Sequence, residues 1–411
     1  MNEALRKDAD AIVAASIRAV QPDEAVRRAL ESREFTGRVR LVAAGKAAWQ
    51  MAKTASDLLG SRIEAGVVVT KYGHSMGPIA NFDIREAGHP VPDENSFRGA
   101  QAAIDLVKDL CAGDTVLFLV SGGGSALFEK TLVSGEELAD ITRQLLACGA
   151  DIVEINTLRK RLSAVKGGKF AQICAPAQVY SIVLSDILGD PLDMISSGPA
   201  YPDSSTAADA RAIIAKYGLR MSEAALELME VETPKQLDNV TTEITGSVRQ
   251  LCAAAKTACE ALGYDPVVLT DCLACEAREA GAFLASVLRT HGSGGRRLAF
   301  IAGGETVVHL TGTGKGGRNQ ELALGAAPGI DGLAGAAVFS VGSDGTDGPT
   351  DAAGGYVDHT TAARLKELGV DIFEVLKNND AYHALQKVDG LVMTGPTGTN
   401  VNDVAVALLS V

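Results

Sequence analysis

Two cations stand in a glycine-rich segment, Gly312–Leu322, whose residue types suit the binding of a phosphate group. Glycines let backbone N–H groups approach an anion closely, and a helix that begins after the turn directs its positive end toward that anion. Lys315 and Arg318 can add charge-assisted hydrogen bonds. The segment therefore predicts an anion-binding loop.

The same segment has a second interpretation, because Gly312, Gly314 and Gly317 satisfy the dinucleotide fingerprint G-x-G-x-x-G. That fingerprint normally follows the first strand of a βαβ unit, whereas the residues before this loop are predicted to form the second arm of a hairpin. Phosphoryl transfer uses two cations directly, because charge spreads over the migrating group. We favour phosphoryl transfer and keep NAD(P)H-dependent reduction as the alternative.

Two further turns occupy positions where ligands bind in open α/β sheets. Lys46 follows the buried strand Val39–Ala44 and precedes a helix, while Ser121–Ser125, with three central glycines, follows the apolar strand Thr115–Val120. Ligands of doubly wound sheets bind at the carboxyl ends of the strands. Lys46 is therefore a catalytic candidate, and the Ser121–Ser125 loop is a candidate phosphate cradle.

Four aspartates after predicted strands are candidates for a magnesium site. Asp186 and Asp190 follow one strand, and Asp344 and Asp347 follow another. Mg²⁺ needs only one or two protein oxygens when phosphate and water complete its shell. Asp-Pro and Gly-rich turn chemistry explains the same residues structurally, so both interpretations stay open.

These loops need an α/β framework to position them. Strands and helices alternate along the chain, which predicts a Rossmann-like, doubly wound parallel sheet in the first part. Only Gly303-Gly304-Glu305 separates the predicted strands Leu298–Ala302 and Thr306–Leu310, which predicts an antiparallel hairpin and so a mixed second sheet. The expected domains are residues 1–235 and 236–411, with the N-terminal helices on either side of Pro22 able to pack on the second.

Composition limits the partners. The net charge of −13 over 411 residues disfavours nucleic acid, and no apolar run is long enough to span a membrane. The charged first ten residues are unlike a secretory signal, so we expect a cytoplasmic protein. A homodimer is a candidate assembly, and the sequence leaves the oligomeric state open. Seven cysteines include a CxxC at Cys272 and Cys275 without a partner motif, which leaves a redox role open.

Longer motifs resemble one known family. The first half carries Ala44-Gly45-Lys46-Ala47-Ala48, Ser121-Gly122-Gly123-Gly124-Ser125, Leu162-Ser163-Ala164-Val165-Lys166-Gly167-Gly168 and Ser196-Ser197-Gly198-Pro199. The second half carries Gly303-Gly304-Glu305-Thr306, Gly316-Gly317-Arg318-Asn319-Gln320-Glu321, Ser343-Asp344-Gly345-Thr346-Asp347-Gly348, Asn378-Asn379-Asp380 and Thr394-Gly395-Pro396-Thr397-Gly398-Thr399-Asn400. The first set resembles the glycerate 2-kinases, and the second resembles their C-terminal MOFRL-type domain.

This resemblance implies phosphorylation of D-glycerate by ATP with Mg²⁺, in a cleft between two α/β domains, the second of them α/β/α. It implies Lys46 and Arg318 as catalytic residues. From the loops themselves we predict that Ser121, Gly122, Gly123, Gly124, Ser125, Lys166 and Gly167 bind the nucleotide. We further predict Asn319, Glu305 and Asn400 as substrate-binding residues and Asp186, Asp190, Asp344 and Asp347 as metal ligands. Similar proteins also carry the label hydroxypyruvate reductase, and a non-catalytic nucleotide- or sugar-acid-binding protein is the remaining alternative. Whether the 2- or the 3-hydroxyl reacts stays open.

Overall fold

The computed structural model describes residues 1–31, 33–292 and 295–410, and the chain divides into two compact units. One unit comprises residues 25–245, and we call it the parallel-sheet unit. The other comprises residues 1–24 and 246–411, and we call it the mixed-sheet unit.

Strands and helices alternate along most of the chain, as expected for an α/β fold. In chain order the strands are β1 Val39–Ala44, β2 Ile63–Lys71, β3 Phe82–Ala87, β4 Thr115–Val120, β5 Gln178–Leu184, β6 Val240–Gly246, β7 Asp265–Leu273, β8 Leu298–Gly304, β9 Ala336–Gly342, β10 Gly354–Asp358, β11 Leu391–Val392 and β12 Asp403–Leu409.

The α-helices vary from a single turn to seventeen residues. They are α1 Glu3–Ala19, α2 Pro22–Leu30, α3 Ala48–Leu59, α4 Glu94–Val107, α5 Gly124–Leu127, α6 Gly135–Ala147, α7 Ile152–Leu162, α8 Lys169–Cys174, α9 Ala207–Tyr217, α10 Glu223–Met229, α11 Val248–Ala261, α12 Ala277–His291, α13 Arg318–Ile330, α14 Thr361–Glu367, α15 Ile372–Lys377 and α16 Ala381–Gln386. Within the described residues, none combines the length and apolar character needed to cross a bilayer.

The parallel-sheet unit has the strand order β3-β2-β1-β4-β5-β6. Strand β1 pairs in parallel with both β2 and β4, and the pairs β2–β3 and β4–β5 are also parallel. Apolar side chains from the two faces of this sheet enter separate buried clusters. The order 3-2-1-4-5 is that of a doubly wound sheet, so the predicted fold class of this unit is confirmed.

The mixed-sheet unit has the order β11-β10-β9-β12-β8-β7. Strand β12 lies antiparallel between β8 and β9, while β7 is parallel to β8. Helices α12 and α13 contribute apolar residues to the main buried cluster of this unit. A mixed second sheet was predicted and is confirmed.

The hairpin that was expected to cause this mixed sheet is absent from the described structure. Strand β8 ends at Gly304, and Thr306–Leu310 forms no strand apart from one isolated bridge between Val307 and Glu276. Val307 is 50% exposed and Leu310 is 82% exposed, so these two apolar residues are not covered as a strand within a sheet would cover them. The antiparallel strand is instead β12, from the far end of the sequence, which short-range spacing cannot reveal.

The boundary between the units also differs from the predicted 235/236. Strand β6 lies next to β5, so the parallel-sheet unit extends to residue 245. Residues 1–24 group with the mixed-sheet unit, where Asp8 Oδ2 pairs with Arg297 Nη2 at 2.8 Å and accepts a hydrogen bond from the Tyr264 hydroxyl at 2.7 Å. Long-range contacts of this kind decide the division, and local composition does not.

Candidate active site

Lys46 and the Ser121–Ser125 loop lie side by side in the parallel-sheet unit. Strands β1 and β4 pair in register up to Ala44 and Val120, so the two following turns start together. Lys46 N donates to Gly122 O at 2.9 Å, and Ala47 N donates to Ser121 Oγ at 3.1 Å. The structure therefore brings together two of the turns that the sequence singled out.

Only glycine fits at the start of the Lys46 turn. Gly45 has a φ of +129°, and a Cβ atom there would lie 2.2 Å from Ser121 Oγ and 2.5 Å from Ser121 O. Without a side chain, the two turns can approach closely and fix the position of the Lys46 backbone. This close approach is the physical reason for the Gly-Lys pair.

The Ser121–Ser125 loop presents backbone donors. Among the described residues, no acceptor is found for the N–H groups of Gly122, Gly123, Gly124 and Ser125. Gly123 has a φ of +85°, and helix α5 begins at the next residue. Successive N–H groups in such a turn form a concavity that suits an anion. The geometry fits the predicted phosphate cradle.

Lys166 has a structural position, contrary to the expectation that it contacts the nucleotide. Its side chain is fully buried, and Nζ donates to Ser125 O at 2.8 Å and Phe128 O at 3.0 Å, beside Glu129 Oε2 at 3.2 Å. Burial lowers the pKa of Lys166 to about 8. Lys166 thus stabilises the Ser121–Ser125 loop from the protein interior. Gly167 also makes an internal contact, because its N–H donates to Ser197 O at 3.0 Å.

The aspartates of the parallel-sheet unit lie beside the cradle loop or in the turn that follows β5. A Cβ atom on Gly122 would lie 2.3 Å from Asp186 Oδ2, so this carboxylate packs against the loop. Asp190 has a φ of +51°, and its Oδ1 is buried with no hydrogen-bond partner among the described residues. No cluster of three or more metal-binding side chains occurs in the described parts of the chain.

His89 is not among the site residues predicted from the sequence, but its ring lies at this site. A Cβ atom on Gly123 would be 3.1 Å from His89 Nε2 and 3.3 Å from Lys46 Cγ. Burial and the positive charge of Lys46 lower the pKa of His89. The available signal was its position in Gly88-His89-Pro90, directly after a strand.

In the mixed-sheet unit, Arg318 at the start of α13 is held by two carboxylates. Its Nε and Nη2 donate to the two oxygens of Asp403 at 2.6 and 3.1 Å, and its Nη1 donates to Glu305 Oε1 at 2.7 Å. Burial opposes the guanidinium charge, but the Asp403 pair outweighs it and raises the pKa of Arg318. The sequence identified Arg318 and Glu305 but missed Asp403, the first residue of β12.

The glycine-rich loop before Arg318 differs from the phosphate cradle that its residues predicted. Asn379 Oδ1 accepts from Thr311 N at 2.8 Å and Gly312 N at 2.9 Å, and Asn378 O accepts from Gly314 N at 2.9 Å. Lys315 N donates to Asp380 Oδ1, and its Nζ lies 4.3 Å from the centre of the Tyr382 ring. The amides of residues 311–315 are therefore occupied by the protein itself.

A carboxylate also occupies the beginning of α13. Asp347 Oδ1 accepts from Asn319 N at 3.1 Å and Oδ2 accepts from Gln320 N at 2.9 Å. Burial outweighs these bonds and raises the pKa of Asp347 to about 6. Asp347, predicted as a metal ligand, is thus a helix cap.

The three other predicted residues of this unit also make internal contacts. Asn319 is buried between Asp347 and Ser340, with distances of 3.2 Å from Nδ2 to Asp347 Oδ1 and 2.6 Å from Oδ1 to Ser340 Oγ. Asp344 Oδ1 accepts from Thr346 N at 3.0 Å. Asn400 is exposed, and its Oδ1 accepts from Asn402 N at 3.3 Å. Asn319 therefore supports the arginine-bearing turn rather than facing a ligand.

Comparisons with known proteins agree along the whole length of the chain. A family described as a domain of unknown function, DUF4147, matches residues 8–230, and the MOFRL family matches residues 298–403. A D-glycerate 2-kinase from Thermotoga maritima is 54% identical, with 99% of each chain covered. A glycerate 2-kinase from Pyrococcus horikoshii is 39% identical, with 97% of this chain and 96% of the relative covered.

A solved structure and a differently named relative complete the comparison. The crystal structure of a glycerate kinase from Thermotoga maritima superposes with a TM-score of 0.96 at 53% identity, covering 99% of this chain and 100% of that one. A relative from Agrobacterium vitis is 39% identical, with 91% of this chain and 100% of the relative covered. It is named a hydroxypyruvate reductase, and its name marks that activity as provisional.

Proposed function

Because the chain belongs to the glycerate kinase family that carries a MOFRL domain, we propose that it transfers the γ-phosphoryl group of ATP to D-glycerate. Glycerate kinase is the activity named for the relative with 54% identity and for the matching crystal structure. The choice of ATP as donor and a cytoplasmic location are part of the proposal. A homodimer stays a prediction from the sequence.

The proposed binding of the ATP phosphates rests on one observation: Lys46 lies beside several backbone N–H groups that have no acceptor among the described residues. Gly122–Ser125 offers N–H groups that no described residue uses, on a loop that Lys46 touches through its own backbone. Fixed dipoles and a cation at a phosphate stabilise the charge that spreads over the migrating group. We assign the ATP phosphates to this cradle.

We assign the proposed magnesium ion to two aspartates of the parallel-sheet unit. Asp190 has a buried carboxylate oxygen without a partner among the described residues, and Asp186 lies against the cradle. Mg²⁺ prefers carboxylate oxygens and keeps several waters, so two protein ligands suffice. Bound there, it would neutralise phosphate charge. Asp347 is not included, because its oxygens cap α13.

Arg318 is the proposed partner for the carboxylate of glycerate. A guanidinium has five N–H donors, of which Asp403 and Glu305 take three. The remaining two, one on Nη1 and one on Nη2, can donate to a carboxylate, a group that arginine recognises better than lysine does. No observation favours the reductase, because internal acceptors occupy amides of the fingerprint loop.

Replacement of Lys46 by Ala tests the nucleotide assignment. The variant should lose at least 100-fold in kcat for ADP formation with D-glycerate, because a cation at the phosphates is removed. Lys53→Ala is the matched control, since Lys53 lies on α3 and pairs at the surface with Asp57. A Lys46→Ala enzyme that turns over like Lys53→Ala would refute the assignment.

A further inference from the structure

Three carboxylates surround the start of α13, and two of them are fully engaged. Asp403 uses both oxygens on Arg318 and is only 9% exposed. Asp347 uses both oxygens on the backbone of the helix and is 3% exposed. Both aspartates are largely buried and are hydrogen-bonded through both oxygens, so neither offers a carboxylate oxygen without a partner to a substrate.

Glu305 is different. Its side chain is 46% exposed, and only Oε1 is engaged, at 2.7 Å from Arg318 Nη1. No described residue donates to Oε2. The backbone of Glu305 is nevertheless fixed, because its N–H donates to Leu273 O at 2.8 Å directly after β8. The residue thus combines a rigid attachment with an available carboxylate oxygen.

A 2-hydroxy acid bound to Arg318 would also come close to Glu305. The carbon that bears the 2-hydroxyl is bonded directly to the carboxylate carbon, so the hydroxyl and the carboxylate lie close together in the substrate. A glycerate carboxylate on the two remaining N–H groups of Arg318 would bring its 2-hydroxyl to the neighbourhood of the guanidinium. Glu305 touches that guanidinium through Oε1.

We propose that Glu305 is a catalytic residue that accepts the proton of the attacking 2-hydroxyl group of glycerate. This inference rests on the proposed function. In the step, the hydroxyl oxygen forms a bond to the γ-phosphorus of ATP, the bond from that phosphorus to the bridging oxygen breaks, and ADP leaves with the bonding pair. The hydroxyl proton moves to Oε2 of Glu305. Phosphoryl-transfer enzymes use a carboxylate to orient a substrate hydroxyl in this manner.

The contact with Arg318 explains why Glu305 suits this role. The guanidinium fixes one carboxylate oxygen and leaves the other to point at the substrate, which is the orienting arrangement of a general base. General-base assistance contributes roughly 10²–10⁴-fold to a rate. Since phosphoryl transfer needs little such assistance, we expect the lower end of that range.

Glu305→Gln tests the assignment. The amide oxygen of Gln keeps an acceptor for Arg318 but cannot take up a proton, so kcat should fall about 100-fold while the KM for D-glycerate changes less than about threefold. Glu305→Asp retains a carboxylate and should be at least about tenfold faster than Glu305→Gln. Glu279→Gln is the control, because Glu279 is an exposed glutamate of the same unit, 3.7 Å from Arg278.

These measurements distinguish an error in the proposed kinase function from an error in the proposed role of Glu305. No ADP formation by the wild-type enzyme with D-glycerate would overturn the proposed function itself. An active wild type with a Glu305→Gln kcat close to that of Glu279→Gln would overturn the role of Glu305 alone. A raised KM with unchanged kcat would also overturn it, because Glu305 would then only bind substrate. An Asp variant as slow as the Gln variant would do the same.

Discussion

Asp347 shows at the scale of a single residue how a buried carboxylate can replace an external anion. Its two oxygens accept from the N–H groups of Asn319 and Gln320 in the first turn of α13, where an anion is favoured by the helix dipole. The sequence identified the residue and its charge. It could not distinguish capping from metal binding, because both use a carboxylate after a strand, and only the burial decides.

The raised pKa of Asp347 predicts a pH dependence of stability. The folded value is about 6 and the ordinary value is 3.8, so between these pH values the folded chain holds a proton that the unfolded chain releases. The free energy of unfolding should therefore fall by on the order of 3 kcal/mol as pH rises from about 4 to about 7. Asp347→Asn does not titrate and should lack this loss.

Thermal melts at pH 4.5 and 7.5 measure this effect. The Tm of the wild type relative to Asp347→Asn should be lower at pH 7.5 than at pH 4.5. Asp351→Asn is the opposite control, because a hydrogen bond from the Tyr382 hydroxyl at 2.8 Å lowers the pKa of Asp351. An equal Tm difference at both pH values would contradict the assignment for Asp347.

At the scale of elements, two glycine-rich loops of similar composition differ in whether the protein itself binds their backbone N–H groups. In Gly122–Ser125 the backbone donors have no acceptor among the described residues, whereas Asn378–Asp380 accepts from the loop around Gly312 and Gly314. Glycine content predicted close approach in both loops, and this is correct. It could not predict whether a ligand or the protein approaches, because Asn378–Asp380 lies more than sixty residues away.

Asn379 is the residue that occupies the second loop. It has a φ of +54° and is 5% exposed. Its Oδ1 accepts from Thr311 N and Gly312 N, and its Nδ2 donates to His309 O at 3.1 Å and Glu321 Oε1 at 2.8 Å. One side chain therefore satisfies several buried polar groups.

Asn379→Ala should lower the free energy of unfolding by on the order of 3 kcal/mol, because buried donors and acceptors lose their partners. Urea denaturation followed by circular dichroism measures this. Asp389→Ala is the control for backbone strain, since Asp389 also has a positive φ, +56°, but is exposed. If both variants lose the same stability, the hydrogen bonds of Asn379 contribute nothing measurable.

At the scale of the whole molecule, the sequence predicted two α/β units, and the structure contains them. The alternation of buried strands with helices was sufficient for the parallel sheet, in which β1 and β4 have the predicted bounds. Long-range pairing was not predictable. Neither the antiparallel insertion of β12 beside β8 nor the grouping of residues 1–24 with residues 246–411 follows from local periodicity.

The candidate site was predicted to a similar extent. Lys46, Gly122–Ser125 and Arg318 occupy positions that suit their proposed chemistry, whereas Lys166 supports the cradle from the interior. His89 and Asp403 were missed. Each lies next to a predicted residue only because separate strands or turns meet in space, so no spacing rule along the chain identifies them.

The most direct test of the proposed function is one measurement on the wild-type protein. Purified enzyme with ATP, Mg²⁺ and D-glycerate is followed for ADP formation, and the same enzyme with NADH or NADPH and hydroxypyruvate is followed for loss of the reduced cofactor. We predict ADP formation that depends on glycerate and no loss of reduced cofactor. Oxidation of NADH or NADPH without glycerate-dependent ADP formation would contradict the kinase.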